Sequence, residues 1–243
     1  NTEFKQFNAN LEHSFNDRWR LAALVGTSKS VFSNPMQTTV TLDIQNLKGY
    51  SWDFRKDSNL PDIHYGSLDV NNPGSWNWIS SPPSNSTGSE IRIRPQGTSN
   101  QFDNAKVDLT FFADASYTLR GGLSWKQYDM NAYESRRASE TIVPALPAGT
   151  TVADISTSIR NFGKGLGANV PSTWLIPDLG KIASLFDIYC NCNTGVPGGD
   201  FTLNGSTNGS ARINNFGIKE EDFGGYLQLD FNVDLLDKPL RGN

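Results

Sequence analysis

The feature that most constrains the fold is a strict alternation of apolar and polar residues over long stretches. From Phe7 to Phe15 every second residue is apolar or histidine, and the residues between them are polar. A period of two gives a β-strand one apolar and one polar face, whereas a helix would mix the two classes. Residues 19–31 repeat the pattern after a polar segment at 16–18. The sequence therefore predicts a β-hairpin with a short turn at residues 16–18.

The same pattern occurs again later in the chain. Residues 105–113 and 117–130 alternate around a short polar segment at 114–116, which predicts a second hairpin. Residues 220–233 predict one more long strand, and residues 238–243 predict another turn. We expect five long amphipathic strands and two or three short ones.

Two long connections, residues 32–104 and 137–217, differ from these hairpins in being polar and rich in turn-forming residues. Within them the pattern predicts short strands at 38–45 and 90–94, short helices at 154–162 and 178–189, and tight turns or a small hairpin at Asn204-Gly205 and Asn208-Gly209. Loops longer than about 15 residues are uncommon in compact soluble domains. Short turns that alternate with very long loops are typical of outer-membrane barrels. The predicted fold class is therefore all-β: antiparallel hairpins derived from a transmembrane β-barrel with long external loops.

Charge and hydropathy limit the kinds of partner and membrane contact that the chain can have. The 21 Lys and Arg residues nearly balance 25 Asp and Glu, for a net charge of -4, so the chain lacks the basic surface that nucleic acid requires. No segment approaches the ~20 apolar residues of a membrane-spanning helix. The first residues lack the pattern of a signal peptide. We expect either a cytosolic protein or a mature or excised piece of a larger one.

The chain carries no recognisable catalytic motif. His13 and His64 are far apart in sequence and have no cysteine nearby. We expect no enzyme activity, no cofactor and no metal site. Cys190 and Cys192 are separated by one residue, which leaves two readings open, a pair of loop thiols or a local disulfide of small entropic effect.

Four residues are candidates for ligand binding. Trp76 and Trp78 lie in a segment rich in Asn, Ser and Pro, where exposed aromatic rings would stack on sugars or other bulky ligands. The structural alternative is that both rings anchor the loop. Arg92 and Arg94 share one face of a short strand and would guide anionic ligands, or would simply pair with carboxylates.

Several segments together resemble the TonB-dependent outer-membrane receptors of bacteria, in an order and spacing that cover nearly the whole chain. The segments are residues 15–21 (FNDRWRL), 49–55 (GYSWDFR), 117–126 (YTLRGGLSWK), 220–231 (EEDFGGYLQLDF) and 239–243 (PLRGN). The resemblance implies a barrel of 22 strands, an N-terminal plug domain and an energy-coupling box, but the plug and box are not recognisable here. We therefore expect residues 1–243 to be a partial barrel region without a complete independent domain, not closed on its own.

By this resemblance the parent protein would take up siderophore, cobalamin or glycan-type ligands across the outer membrane. Its partners would be the rest of its own barrel and the TonB system. Two other functions stay open. A released fragment with unpaired strand edges would assemble with copies of itself into an extracellular, amyloid-like filament. A soluble glycan-binding β-domain is the third possibility.

Overall fold

The computed structural model describes most of the chain, namely residues 1–57, 59, 61–82, 88–161, 163, 170–205, 207 and 209–243. Antiparallel strands dominate it, and no sheet among these residues closes into a barrel. The predicted all-β class is confirmed. No helix of the described residues is long and apolar enough to cross a membrane.

The strands in chain order are β1 Thr2–Ser14, β2 Trp19–Asn34, β3 Thr38–Thr41, β4 Tyr50–Asp53, β5 Asp62–Tyr65, β6 Glu90–Ile93, β7 Gln96–Phe112, β8 Tyr117–Glu134, β9 Arg136–Arg137, β10 Ser156–Arg160, β11 Thr173–Pro177, β12 Leu203–Asn204, β13 Phe216–Leu235 and β14 Lys238–Gly242. The helices are α1 Leu179–Phe186, α2 Gly209–Arg212 and a short 3-10 helix, Pro73–Ser75. The five long strands expected from the alternation are β1, β2, β7, β8 and β13.

The chain forms two compact units. The first, the sheet unit, comprises Asn1–Asn34, Gln96–Tyr133 and Ile213–Asn243. The second, the loop unit, comprises Pro35–Pro95 and Glu134–Arg212. The two long polar connections of the sequence therefore fold together as one compact body.

The sheet unit is a single antiparallel sheet with strand order β1-β2-β7-β8-β13-β14. Both predicted turns are present, and each is held by one acidic or amide side chain. The side-chain oxygen of Asn16 accepts hydrogen bonds from the backbone N–H of Arg18 at 2.9 Å and of Trp19 at 3.0 Å. Asp114 does the same for Ser116 at 2.7 Å and Tyr117 at 2.9 Å. These side-chain bonds replace the backbone pairing that the strands lose at the turn.

The end of the chain differs from the prediction. Residues 238–243 were expected to form a turn, but β14 occupies Lys238–Gly242 and pairs with β13. The turn lies at Leu236 and Asp237, whose φ angles are 54° and 59°. Two successive positive φ angles fit the tight hairpin turn that matches strand twist. Because the usual Asn-Gly or Asp-Gly signal is missing, the pattern placed this turn too late.

The loop unit has its own hydrophobic core. The buried residues of this core are Trp78, Ile91, Ile93, Val143, Ile155, Ile182, Phe186, Ile188 and Phe201. Four two-stranded antiparallel pairs contribute to the unit: β3 with β6, β4 with β5, β9 with β12 and β10 with β11. At the centre the rings of Trp78 and Phe186 stack with an interplanar angle of 2°.

Arg137 ties separate segments of the loop unit together. Its side chain is 2% exposed, and its guanidinium donates to the carbonyl oxygens of Asp200 at 3.1 Å, Ile142 at 3.1 Å and Gly198 at 2.8 Å. The guanidinium also lies 4.5 Å from the ring centroid of Phe201. Burial lowers the pKa of Arg137 to about 10. The fork of donors is what allows one side chain to bind three carbonyls.

Smaller elements of the loop unit confirm some predictions and correct others. The helix predicted at 178–189 is α1, capped by Asp178, whose carboxylate accepts from the N–H of Lys181 at 3.1 Å. The short strands predicted at 38–45 and 90–94 are β3 and β6, which pair with each other.

The helix predicted at 154–162 is wrong, because residues 156–160 form β10 and pair with β11. Phe162 and Asn208 lie outside the described residues. Asn204 belongs to β12, and Gly209 begins α2, not a second turn.

Candidate functional site

One side of the sheet unit, the apolar face, is a continuous apolar surface. The register sets Leu11 against Ala23 and Ala23 against Val107, so their side chains share one side. On the neighbouring strands, Leu119 is opposite Leu229. Large apolar residues of this face that are more than half exposed include Leu11 at 55%, Leu123 at 53%, Phe223 at 71% and Leu227 at 78%.

No residue of the sheet unit belongs to the buried hydrophobic set of the described chain, which lies wholly in the loop unit. A soluble monomer rarely leaves an apolar patch of this kind open. A single-layer sheet also needs something to cover its apolar side before it is stable. The apolar face therefore requires a cover of lipid, detergent or protein.

Aromatic rings mark both ends of the apolar face. At the hairpin-turn end Trp19 lies against Phe111, with 4.5 Å between ring centroids. At the other end Trp125 is opposite Phe223, and its indole N–H donates to the Glu221 carboxylate at 2.7 Å. A ring with an apolar body and a bonded polar tip is the side chain favoured at a membrane–water boundary.

The dimensions of the apolar face also fit a bilayer. On β8 the face runs from Tyr117 to Trp125, about 26 Å at ~3.3 Å per residue. Tilted by about 40°, that length spans roughly 20 Å, close to the apolar band of an outer-membrane barrel. Beyond this border the same side of the sheet becomes polar, where Thr27 donates to Asp103 at 2.6 Å.

The opposite side of the sheet, the polar face, carries charged side chains that are paired along the ladder. Lys106 lies 2.8 Å from Asp108, which also accepts the Tyr226 hydroxyl at 2.9 Å. Arg120 lies 2.8 Å from Asp230. Such a surface is suited to water and not to hydrocarbon.

Both outer edges of the sheet expose long unpaired backbone. No strand in the described part of the chain pairs with the outer side of β1, whose 13 residues are all exposed. On β13 the pairing with β14 covers only Phe231–Leu235. Residues 216–230 of β13 therefore have a partner strand on one side only, within the described residues. Unpaired N–H and C=O groups of this length are a template for another strand.

The two tryptophans predicted to bind a ligand occupy different environments. Trp78 is 8% exposed and belongs to the core, and its indole N–H donates to the carbonyl of Pro144 at 2.8 Å. A ligand cannot stack on this ring while the core is intact. Trp76 is half-buried, and its indole nitrogen has no hydrogen-bond partner among the described residues.

Trp76 is the inner member of a row of five aromatic rings, here called the aromatic row. In order the members are Trp52, Tyr50, Tyr65, Trp174 and Trp76, and successive ring centroids are 5.7, 6.3, 5.2 and 6.2 Å apart. Four of these members could not be predicted as a group from the sequence, because they lie on β4, β5 and β11, and β11 is far from the other two in the chain. β4 pairs with β5 and β11 pairs with β10, and the packing of these elements in the loop unit brings the rings together.

A hairpin positions the exposed end of the aromatic row. Tyr50 and Trp52 lie two residues apart on β4 and therefore point the same way, and Tyr50 is opposite Tyr65 on β5. Gly66 follows β5 with a φ of +61°, and a Cβ there would lie 2.0 Å from the Lys48 carbonyl oxygen. Only glycine fits this close approach, so the base of the hairpin is fixed by backbone geometry.

The charges beside the exposed end of the row neutralise one another. Arg55 donates from Nε to both carboxylate oxygens of Asp53, at 2.8 and 2.9 Å, and these bonds hold the pKa of that carboxyl well below its usual range. Lys56 pairs with Asp62 at 2.5 Å, and that hydrogen bond raises the pKa of the lysine. Burial raises the pKa of Tyr65, which keeps its phenol protonated.

The two arginines predicted to guide anionic ligands both form ion pairs with carboxylates. Arg92 lies 2.5 Å from Glu90, and Arg94 forms a two-pronged ion pair with Glu140. The hydrogen bonds that Arg94 donates to the Glu140 carboxylate raise the pKa of the arginine. Within the described residues both guanidinium groups thus have carboxylate partners, as in the structural alternative.

Cys190 and Cys192 are joined in a disulfide. Cys192 lines an apolar cleft of about 880 Å³ together with Val143, Pro144, Leu185 and Phe186. No group of three or more His, Cys, Asp or Glu side chains in the described ranges is arranged to hold a metal ion.

Comparison with known proteins returns no relative. No protein-family model, no characterised protein and no solved structure matches the chain.

Proposed function

We propose that the chain is part of an outer-membrane receptor of the TonB-dependent type, which takes up a ligand across the bacterial outer membrane. The observation that carries the proposal is the uncovered apolar face, roughly 20 Å tall at the tilt of a barrel strand, bordered by aromatic rings and backed by a polar face. Lipid on one side and a water-filled lumen on the other are the environments that such a sheet requires.

The connectivity supports the same proposal. Tight turns close the sheet at one end of its strands, and both long connections leave from the other end, where Asn34 pairs with Gln96 and Ala132 with Phe216. Short turns on one side of the membrane and long loops on the other are the rule for outer-membrane barrels. In this proposal the loop unit is the external, ligand-receiving part.

The six strands need neighbours to complete a barrel. Open strand edges do not persist in hydrocarbon, because their N–H and C=O groups have no partner there. The exposed edges of β1 and β13 are therefore the places where the remaining barrel strands would pair.

A second candidate function is self-assembly into an extracellular β-rich filament. The favouring observation is the same pair of edges, since β1 presents 13 exposed residues and β13 presents 15 residues with one free side. Copies joined edge to edge would satisfy that backbone without a membrane.

An antibody raised against the chain distinguishes the two functions when it is applied to fractions of the source cells. We expect it to detect, in the outer-membrane fraction, a band much larger than 26.8 kDa whose mobility changes on boiling. A band at the size of the chain, found only in soluble or fibrous extracellular material, would contradict the receptor and favour the filament or a soluble domain.

A further inference from the structure

We infer that the aromatic row is a binding site for a neutral carbohydrate chain. The inference deepens the proposed receptor function, and rests on it for the role of the loop unit as the ligand-receiving part. Of the siderophore, cobalamin and glycan-type ligands that such a receptor takes up, the row is best suited to glycans, which have apolar ring faces and hydroxyl groups at their edges.

Ring exposure is the first reason. Trp52 is 58% exposed and Tyr50 is 46% exposed, although both side chains are large and largely apolar. The Tyr50 ring lies beside two neighbouring rings, with its centroid 6.3 Å from that of Tyr65 and 5.7 Å from that of Trp52. The exposed rings are therefore held in place before a ligand arrives, which reduces the entropic cost of binding.

The chemistry of the row is the second reason. Indole and phenol rings offer an apolar surface together with N–H and O–H groups at their edges. A pyranose ring has the complementary character, with C–H groups on its faces and hydroxyls around its rim. One row can therefore stack on sugar faces and bind hydroxyls at the same time.

The electrostatics favour a neutral ligand over a charged one and are the third reason. The two cations beside Trp52, Arg55 and Lys56, are bound to Asp53 and Asp62. An anionic chelate would have to separate Arg55 or Lys56 from its carboxylate partner to gain a charge partner of its own. A cationic ligand would likewise have to separate Asp53 or Asp62 from its cation. A neutral ligand can bind without breaking either ion pair.

The test is isothermal titration calorimetry on the full 243-residue chain in lauryldimethylamine oxide micelles, a detergent without a sugar headgroup. The probes are maltohexaose, cellohexaose, xylohexaose and mannohexaose, with hexagalacturonate as the charged comparison. We expect at least one neutral hexasaccharide to bind more tightly than hexagalacturonate. Trp52→Ala and Tyr50→Ala should each weaken that binding about five- to tenfold, because each removes a stacking surface.

Tyr189→Ala is the matched control, since Tyr189 is another exposed aromatic residue of the loop unit, at 39%, outside the row. It should leave the affinity unchanged. The inference is overturned if no neutral hexasaccharide binds, if the charged one binds best, or if the Trp52 and Tyr50 variants lose no more affinity than the control.

Failure of this site and failure of the receptor proposal are distinguishable. If the chain binds a neutral hexasaccharide but its parent is absent from the outer membrane, the binding site is supported and the receptor proposal is contradicted. If the parent is embedded in the outer membrane but the chain binds none of the four sugars, the receptor proposal is supported and the binding site is contradicted.

Discussion

At the residue scale, position in the fold decides which side chains are available for function. Trp76 and Trp78 are alike in the sequence, two residues apart in one polar segment. Trp78 is nevertheless a core residue bonded to Pro144, whereas Trp76 contacts Trp174 in the aromatic row. The composition of the segment could identify the pair, but only contacts with residues distant in the chain separate their roles.

Arg137 illustrates the same limit. Nothing in its sequence neighbourhood, next to a second arginine at 136, indicates burial, yet it is among the most enclosed side chains of the loop unit. Its role depends on three carbonyl groups from segments up to 63 positions away. Sequence patterns report on neighbours a few residues apart and cannot report on such contacts.

A pH-dependent contribution to stability is predicted at Asp154. Hydrogen bonds from the Thr151 side chain at 2.7 Å and from its backbone N–H at 2.8 Å lower the pKa of this carboxyl below 3.8. A group whose pKa is lower when folded stabilises the fold above its unfolded pKa, and this stabilisation is lost as the pH falls through the folded pKa. Thr151→Val should therefore unfold at lower urea than the parent at pH 7.

The difference in urea midpoint should shrink as the pH is lowered from 5 to 2, because the protonated carboxyl no longer benefits from the donor. Thr150→Val, one residue earlier, is the control and should show no such pH dependence. Unfolding followed by near-ultraviolet circular dichroism provides the measurement. A midpoint difference that persists unchanged at pH 2 would contradict the assignment of these bonds.

At the element scale, the long strands could be predicted because their alternation is strict, and the short elements could not. All five long strands lie where the pattern placed them, although β7 begins nine residues earlier than the expected 105, at Gln96. At residues 154–162 the apolar residues Ile155 and Ile159 are four apart, which fits a helix face, but the β-branched Thr157 and Ile159 favour the strand that forms. Pairing with β11 decided the outcome.

Two adjacent glycines on β8 lead to an element-scale prediction. A Cβ on Gly122 would lie 2.4 Å from the Asp108 carboxylate and 2.6 Å from the Tyr226 ring, which themselves share a hydrogen bond of 2.9 Å. A Cβ on Gly121 would meet nothing closer than 3.5 Å. Gly122→Ala should therefore destabilise the sheet by about 1–3 kcal/mol through overpacking.

Gly121→Ala is the natural control and should cost less than about 0.5 kcal/mol. The measurement is the free energy of unfolding of each variant in detergent micelles, from urea titration followed by circular dichroism. Equal losses in the two variants would mean that Tyr226 does not lie over Gly122.

At the scale of the whole molecule, the two units differ in whether they bury a hydrophobic core of their own. The loop unit buries a core that includes Ile91, Ile182 and Phe201 at 0% exposure. The sheet unit buries no large hydrophobic residue among those described, and leaves its apolar face and two edges open. The sequence could predict the open sheet from its alternation. It could not predict that two connections separated in the chain by residues 96–133 would share one core.

In an outer-membrane barrel we expect the apolar face to contact hydrocarbon and the polar face to contact water. Spin labels on single cysteines placed in turn at positions 117–125 of β8, except at the crowded Gly122, provide the test in the full chain in lauryldimethylamine oxide micelles. We predict that labels at 119, 121 and 123 are accessible to oxygen, which partitions into the apolar phase, and that labels at 118, 120 and 124 are accessible to a water-soluble nickel complex.

This alternation with a period of two would establish the two environments on opposite sides of one strand. Equal accessibility to the nickel complex at all positions would contradict the account, and labels at 119, 121 and 123 shielded from both reagents would show that another copy of the chain, not lipid, covers the apolar face.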